Sequence, residues 1–327
     1  MWVEASAPSN IALIKYMGKT DPLLNQPCNT SISYTLEHLR TFVRIKENPQ
    51  LNEDQWSLLQ RKDLRSMTLS ENGKNKFIRH LHFLKEQFHI KFFFEIESAN
   101  NFPSDCGLAS SASSFAALTL AFAKWVVDSK SSSDQDLLSV KKLALLSKKG
   151  SGSSCRSFFT PWAVWSHDDV KAVEIPIEKL RHQVILCDEK SKLVSSSQAH
   201  QRVLTSDLFK GRSDRAESRF LNLVSSLREK NWQDSFEICW NEMWDMHGLF
   251  HTSKPPFMYM NGDSQSVLAQ LLDYWQKNDD GPLVTMDAGS NIHLLYRMNQ
   301  NTIYDQLKSH FLKDYAVWSD EGYHDKI

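Results

Sequence analysis

The stretch Asn101-Phe102-Pro103-Ser104-Asp105-Cys106-Gly107-Leu108-Ala109-Ser110-Ser111-Ala112-Ser113-Ser114 decides how the chain is read. It begins where the apolar run Phe92-Phe93-Phe94-Glu95-Ile96 ends, and it leads into a small-residue helix predicted over residues 108–127. A strand, a Pro/Gly loop and a Ser/Ala-rich helix make an anion seat. The first helical N–H groups have no intrahelical partner and carry the positive end of the helix dipole. Short Ser and Ala side chains let phosphate oxygens approach the backbone, and the hydroxyls add bonds or hold Mg²⁺. The Walker pattern ending in Gly-Lys-Ser/Thr is absent, so this is not a P-loop of that kind. An ordinary Ser-capped helix has the same local appearance; its company in the chain separates the two.

Working outward, Phe77, Leu81, Leu84 and Phe88 recur at helical spacing and predict an amphipathic helix over residues 75–88, before a strand at 91–97. Upstream, residues 31–45 read as strand, residues 2–16 begin with strand character, and 46–74 give no clear pattern. Downstream, Ser132 with Gln135 forms a capping-box pattern for a helix running to about residue 149, which the segment 150–157 breaks. A short strand at 184–187 closes a first domain. Helices follow at 213–229, 231–249 and 262–277, then strands at 283–286 and 292–297 around a turn, a helix at 301–311 and a strand at 316–318. Strands and helices mix without regular βαβ alternation, so the fold class is α+β. The domains are 1–185 and 186–327.

Composition excludes several classes. The chain has 327 residues, 41% hydrophobic and 24% charged, with a formal net charge of −1. Nothing there favours nucleic acid or an anionic membrane as partner. Any anionic substrate must be held by a local cluster of cations. Cys28, Cys106, Cys155, Cys187 and Cys239 are odd in number and form no Cys-x-x-Cys pair, which predicts a reduced, cytoplasmic protein. Residues 1–10 lack a basic start and an apolar core, so no signal peptide is expected. The longest apolar run, residues 115–123, is too short to span a bilayer.

Three distant segments are rich in small residues and carry cations: Lys15 and Lys19 in the first, the quoted loop in the second, and Arg156 among Ser151, Gly152, Ser153, Ser154 and Cys155 in the third. Two ammonium groups, a guanidinium fork and a helix N-terminus suit a diphosphate, or two phosphates facing each other. A fourth segment, Met286-Asp287-Ala288-Gly289, contributes one acid. An Asp there can simply form a turn. Facing the cations it would stay ionised and could deprotonate a hydroxyl attacking a phosphate.

These segments resemble, in order, the motifs of the mevalonate diphosphate decarboxylases, members of the GHMP kinase superfamily with galactokinase, homoserine kinase and mevalonate kinase. Residues 7–19 carry Ala-Pro-x-Asn-Ile-Ala-x-x-Lys-Tyr-x-Gly-Lys; 24–33 carry Leu-Asn-x-Pro-x-Asn-Thr-Ser-Ile-Ser; 102–112 carry Phe-Pro-x-x-x-Gly-Leu-Ala-Ser-Ser-Ala. Residues 150–157, Val194-Ser195-Ser196-Ser197, Tyr259-Met260-Asn261 and 287–291 complete the set. Ala109 stands where superfamily members that are only kinases mostly have Gly. The resemblance implies a two-domain fold with the site in the cleft between domains. The first domain would be the GHMP kinase-like, ribosomal protein S5 domain 2-like, ATP-binding one, and the second the decarboxylase domain. It implies ATP and Mg²⁺ as cofactors and mevalonate 5-diphosphate as substrate, converted to isopentenyl diphosphate, with a homodimer as the assembly. It implies Asp287, Lys15 and Arg156 as catalytic. Tyr16, Met17, Gly18, Lys19, Arg79, Ser151, Gly152, Ser153, Ser154, Cys155 and Ser197 would contact substrate, and Ser104, Gly107, Leu108, Ala109, Ser110 and Ser111 would wrap ATP. No protein metal ligands are implied.

The chain departs from the family at Met17, where the family has Trp, which alters one wall of the substrate pocket. It departs also at Ser290, where the family has Pro, and at His251-Thr252-Ser253, where an acid is usual. His247 and His251 are four apart as in a zincin helix, but no Glu follows His247, so they read as a helix-end pair. Trp125, Trp240, Trp244 and Trp275 fall on helical patterns and read as packing. No Gly-x-Ser-x-Gly elbow supports a hydrolase. Three other functions fit the same residues: a decarboxylase acting on mevalonate 5-phosphate, a 3-kinase that releases no CO₂, and a silent ligand-binding regulator. Asp287 speaks against the regulator, since a binder needs no base.

Overall fold

The structure, a computed structural model, describes residues 1–64, 71–102, 110–129, 138–167, 169–188 and 193–326. The first half runs β1 (Val3–Ile14), a small hairpin of β2 (Lys19–Asp21) and β3 (Gln26–Pro27), β4 (Ser31–Glu47), β5 (Gln55–Leu58), α1 (Glu71–Gln87), β6 (Phe94–Asn100), α2 (Ser110–Ser129), α3 (Val140–Ser147), a 3-10 turn (Gly152–Phe158), β7 (Trp162–Ser166) and β8 (Asp169–Ala172). β4 is the centre of a six-stranded sheet. β1 runs antiparallel along one edge of it, from Val3 opposite Ile45 to Ile14 opposite Ile32. The other edge is shared: β6 takes residues 41–47 and β7 takes 31–34.

The two ends of β1 and β4 serve different cores. At the outer end burial alternates, with Thr41, Val43 and Ile45 inside and Phe42, Arg44 and Lys46 half-exposed, as expected of a sheet covered on one face. There Val3, Ala7, Val43 and Ile45 pack with Phe77, Leu81 and Leu84 of α1 and with α2. At the inner end residues 7–14 are buried without alternation. Ile11, Leu13, Ile14, Ile32, Tyr34 and Leu36 join the core of the second half. α2 is long and apolar enough to cross a membrane, but it lies on β1 and β4 with most of its apolar stretch buried. Each large side chain it buries contributes roughly 1.5–3 kcal/mol. A Cβ at Gly150 would lie 2.2 Å from the ring of Phe115 on this helix, so that position requires glycine.

The second half holds β9 (Leu180–Leu186), α4 (Ser196–Arg202), short 3-10 turns, α5 (Arg212–Arg228), α6 (Trp232–Thr252), α7 (Gly262–Asn278), β10 (Leu283–Thr285), β11 (Ile292–Arg297), α8 (Asn301–Phe311), β12 (Ala316–Ser319) and β13 (Gly322–His324). Its sheet has the order β10-β11-β9-β12-β13. β9 is its middle strand, so a cut at residue 185 would run through it. The mixed helix-and-sheet class stands, with two large sheets and the small β2–β3 hairpin among the described residues.

Some expectations shift. The apolar run 92–96 enters its strand only at Phe94, and Phe92 is exposed. Residues 150–157 are mostly a 3-10 turn rather than irregular loop, because consecutive Ser and Gly residues are held by bonds such as Ser154 N–H to Ser151 O. β7 and β8 carry no pattern that the sequence separates from loop. Ser132 and Gln135 lie outside the described residues, and α3 begins at Val140.

Arg212, Arg215 and Arg219 recur on one face of α5, opposite Glu242 and Asp245 on α6. The Arg212 and Glu242 side chains are 1% and 0% exposed. Breaking a buried pair strands the remaining charge. Arg212→Met should therefore lower stability by about 3–5 kcal/mol, read as a fall in the urea midpoint. Lys277→Ala, which removes an exposed pair with Asp273, should cost under about 0.5 kcal/mol.

Candidate active site

Lys15 is the first residue past β1, so its peptide leaves the strand ladder inside the protein. Its N–H donates to Glu242 Oε1 at 2.9 Å, and its carbonyl accepts from Asn29 Nδ2 at 3.0 Å. Its side chain is buried, and Nζ donates to Asp287 Oδ1 at 2.8 Å. Asp287 follows β10, in a turn closed by Gly289 N–H donating to the Asp287 carbonyl at 2.8 Å. Burial pushes the Asp287 carboxyl up, but Lys15, His293 and Arg156 outweigh it and hold the group below its ordinary value. A quarter of this side chain, 27%, remains exposed, so the carboxylate is paired with Lys15 without being sealed off.

Arg156 is buried at 3% on the 3-10 turn. Its Nε donates to Ser33 Oγ at 3.1 Å and Asn10 Oδ1 at 3.3 Å, and Nη1 donates to Ser31 Oγ at 2.8 Å. Neutral oxygens thus orient the guanidinium, and among the described residues no carboxylate lies within ion-pair distance of it. Burial lowers its pKa, against the opposing pull of Cys155 and Asp287. A buried cation fixed by neutral partners is a place for an anion supplied from outside.

The loop of residues 16–25 follows Lys15. Tyr16 donates its phenol to the Asn25 carbonyl at 3.2 Å, and Lys19 Nζ donates to Asn25 Oδ1 at 2.6 Å. Asn25 is tied down through Nδ2 to the carbonyls of Lys148 and Lys149. Burial, then the nearby Lys76, depresses Lys19; burial, then Arg79, depresses Lys76. Among the described residues none of the three has an ion-pair partner. Arg79 itself is exposed, and Lys76 is the member next to Lys19, donating to Ser197 Oγ at 3.3 Å. Ser151 and Ser153 are half-buried with their hydroxyls 3.3 Å apart. A Cβ at Gly152 would lie 2.6 Å from the Tyr16 ring.

Three expected contacts turn inward. Met17 is 3% exposed and packs with Val194, Met246, Phe250, Tyr259 and Ala288, so it is core rather than pocket wall. Ser154 Oγ bonds Ser147 Oγ and the Ser151 carbonyl, and Cys155 Sγ–H donates to the Gly152 carbonyl. Gly18 contributes backbone at φ +92°, and a Cβ there would lie 2.7 Å from Phe209. Of the nucleotide loop, Ser104, Gly107, Leu108 and Ala109 lie outside the described residues. Ser110 and Ser111 open α2, whose first turn carries no acid to repel phosphate. His247 is buried in α6, and no three of the described His, Cys, Asp and Glu residues form a metal cage.

Sequence reasoning passed over Asn10, Asn25, Ser31, Ser33, Lys76 and Glu242. The first four lie inside the quoted motifs: Asn10, Ser31 and Ser33 are buried polar residues on strands, and Asn25 is a buried residue in the turn of the small hairpin. Glu242 is a charged residue amid the buried positions of α6, which the helical pattern treats as a fault rather than a site.

One ionised acid, buried cations and a Ser-opened helix, drawn from both halves of the chain, define an enzyme that handles a phosphorylated, anionic substrate. Comparisons with known proteins are specific. The model described as diphosphomevalonate decarboxylase-like N-terminal domain matches residues 7–173, and that of the mevalonate 5-diphosphate decarboxylase C-terminal domain matches 183–323. The diphosphomevalonate decarboxylase of Candida albicans is 33% identical over 94% of this chain and 87% of its own length. The mevalonate diphosphate decarboxylase structure from Legionella pneumophila is 43% identical, with TM-score 0.90, covering 97% of this chain and all of that one. MDDEF in complex with MVAPP, AMPPCP and magnesium is 28% identical, with TM-score 0.83, covering 100% and 98%. The chain belongs to the diphosphomevalonate decarboxylase family, within the GHMP-kinase-like fold.

If Asp287 must be ionised to act, the acid limb of its activity reports its pKa. Lys15→Met removes the first of the neighbours that oppose burial. The acid limb of kcat should then move to higher pH, measured as a full pH–rate profile. An unmoved limb would separate the Lys15 contact from the reacting acid.

Proposed function

We propose that Lys15, Asp287 and Arg156 carry out this chain's reaction, the ATP-dependent decarboxylation of mevalonate 5-diphosphate to isopentenyl diphosphate, ADP, phosphate and CO₂. The observation that carries the assignment is a buried lysine paired with a part-exposed, ionised aspartate, beside a buried arginine with no carboxylate of its own among the described residues.

The tertiary 3-hydroxyl is a poor nucleophile and a poor leaving group. Asp287 Oδ takes its proton as the oxygen attacks the γ-phosphorus of ATP, and ADP departs. Lys15 holds Asp287 in place and offsets charge as the phosphoryl group passes. The resulting 3-phosphate leaves with its bonding electrons. The bond between the carboxylate and the chain breaks as CO₂ departs, and its electrons form the double bond. Arg156 orients the anionic substrate by a planar fork. Lys19, Lys76, Arg79 and Tyr16 take the diphosphate end. ATP and Mg²⁺ are the cofactors; Ser110 and Ser111 would hold the nucleotide phosphates with Mg²⁺, which neutralises phosphate charge when bound.

We place the ATP-binding half before the connector 174–179 and the decarboxylase half after it, since β9 pairs only with strands of the second sheet. Free thiols at Cys28, Cys155, Cys187 and Cys239 support a reducing, cytoplasmic setting. The homodimer remains part of the proposal; exposed Leu221 on α5 and Trp244 on α6 offer apolar surface for it.

Asp287→Asn should leave ATP and mevalonate 5-diphosphate binding within a few-fold and cut turnover by about 10²–10⁴-fold or more, read as CO₂ release. Turnover within a few-fold of the parent would remove Asp287 as base. The parent should prefer the 5-diphosphate over the 5-monophosphate by at least about tenfold in kcat/KM, one charge-assisted bond being worth roughly 1.5–3 kcal/mol. Lys19→Ala should narrow that gap. Preference for the monophosphate would point to the sibling decarboxylase, and ATP use without CO₂ to a 3-kinase.

A further inference from the structure

We propose that His200 of α4 is a positioning residue that sets the affinity for the diphosphate end of the substrate by clasping the Tyr16–Lys19 loop from the opposite half of the molecule. This rests on the assignment of Tyr16 and Lys19 as diphosphate contacts.

The loop needs an external clasp for a physical reason. After Ile14 the chain has no partner along β4, and Gly18 is held in the left-handed region at φ +92°. Its N–H is buried beyond the end of the strand ladder and must find an acceptor. That acceptor is His200 Nδ1, at 3.1 Å. The same ring packs on Tyr16 at 4.4 Å between centroids, while Trp165 of β7 packs on Tyr16 at 4.6 Å. Tyr16 is thus held between an indole from the first half and an imidazole from the second. Its phenol reaches the Asn25 carbonyl, and Lys19 reaches the Asn25 side chain. His200 grips one residue on each side of Met17, whose own side chain is anchored in the apolar cluster with Ala199, the residue before His200.

The ring stays able to accept. His200 is 8% exposed, and burial, then the Lys19 ammonium, holds its pKa down to about 3. At working pH the imidazole is neutral. A proton on Nδ1 would place two N–H donors against each other, and a second cation beside Lys19 would be repelled. α4 also carries Ser197, which accepts from Lys76. One short helix of the second half therefore touches both the loop and Lys76 of the first.

Two substitutions separate the two contacts. His200→Phe keeps a ring against Tyr16 and loses the acceptor; His200→Asn loses the ring and keeps an amide oxygen near the Nδ1 position. For His200→Phe, KM for mevalonate 5-diphosphate should rise about tenfold, as for one buried hydrogen bond lost. KM for ATP should stay within twofold, and kcat should fall less than KM rises. His200→Asn should recover most of the lost affinity. Urea midpoints measured on both variants show whether stability follows the same order. If His200→Phe does not yield folded protein, His200→Gln, with its acceptor displaced towards the Nε2 position, takes its place with the same expectation.

Unchanged KM for the diphosphate substrate in His200→Phe overturns the proposal. So does a loss spread equally over both KM values and kcat that tracks the urea midpoint and is not rescued by asparagine; that is a merely structural histidine. Lys19→Ala, assayed alongside, should raise the same KM. If it does and His200→Phe does not, the clasp alone falls. If Lys19→Ala leaves that KM unchanged, the assignment of this loop to the diphosphate falls and takes the clasp with it.

Discussion

A lysine that leaves its strand inside the protein needs three partners at once: an acceptor for its N–H, a donor for its carbonyl, and an anion for its ammonium. Lys15 finds all three, and they come from elements far apart in the chain. Glu242 of α6 accepts from its N–H, Asn29 donates to its carbonyl, and Asp287 takes its ammonium across 272 residues of sequence. Glu242 is in turn a buried carboxylate, so it requires Arg212, whose guanidinium binds it directly. Asp245 and Arg219 extend the same pairing to the surface of the α5–α6 pair. The second half, already joined to the first by a shared apolar core, is thus also tied to it by what one peptide and one ammonium at β1's exit require.

The same requirement explains why so many polar residues near the site are neutral. Arg156 is oriented by Asn10, Ser31 and Ser33, which are strand residues or their neighbours on the inner end of β1 and β4. A carboxylate in any of those places would satisfy Arg156 within the protein and leave its charge nothing further to bind. Asp287 escapes that objection because Lys15 already claims one of its oxygens. Burial raises its pKa, but Lys15, first among its neighbours, helps outweigh that, and the pairing leaves it partly exposed.

Much of this was legible in the sequence where a motif and a secondary-structure change coincide. Lys15, Arg156 and Asp287 each sit where a strand or helix gives way to small residues, and the structure brings Lys15 and Asp287 to 2.8 Å. α1, α5, α6 and α7 fell within a few residues of their periodic patterns, because amphipathic spacing is a local property. What was not legible depends on which face a side chain takes. Met17, Ser154 and Cys155 lie in the right segments but turn inward, and nothing local distinguishes them from Tyr16 or Ser153. A boundary at 185 falls inside β9, a buried strand whose sequence reads the same in either sheet; its pairing with β11 and β12 shows which sheet it joins. Lys76 was passed over because Arg79, three residues along the same helix, came from the family resemblance, and a motif match does not show that Lys76 is the cation beside Lys19.

Met17 shows how a departure from a family pattern can alter a site without entering it. Its neighbours on either side are held in place: Tyr16 packs against two rings and Gly18 is bonded to His200. Its own side chain is driven into Phe250, Met246 and Val203 by burial of an unbranched apolar group, which fills irregular space well. A bulkier side chain at this position would have to displace those residues, and Ala199 and Ala288 with them. Ala288 follows Asp287 directly, and Ala199 precedes His200, so volume at position 17 bears on both the acid and the clasp through backbone rather than through contact with substrate. Cores resist volume change because they are close-packed, and they pass the strain on to what they support. The size of residue 17 and the identity of residue 200 are therefore coupled constraints, and a change at one is constrained by how α4 can shift at the other.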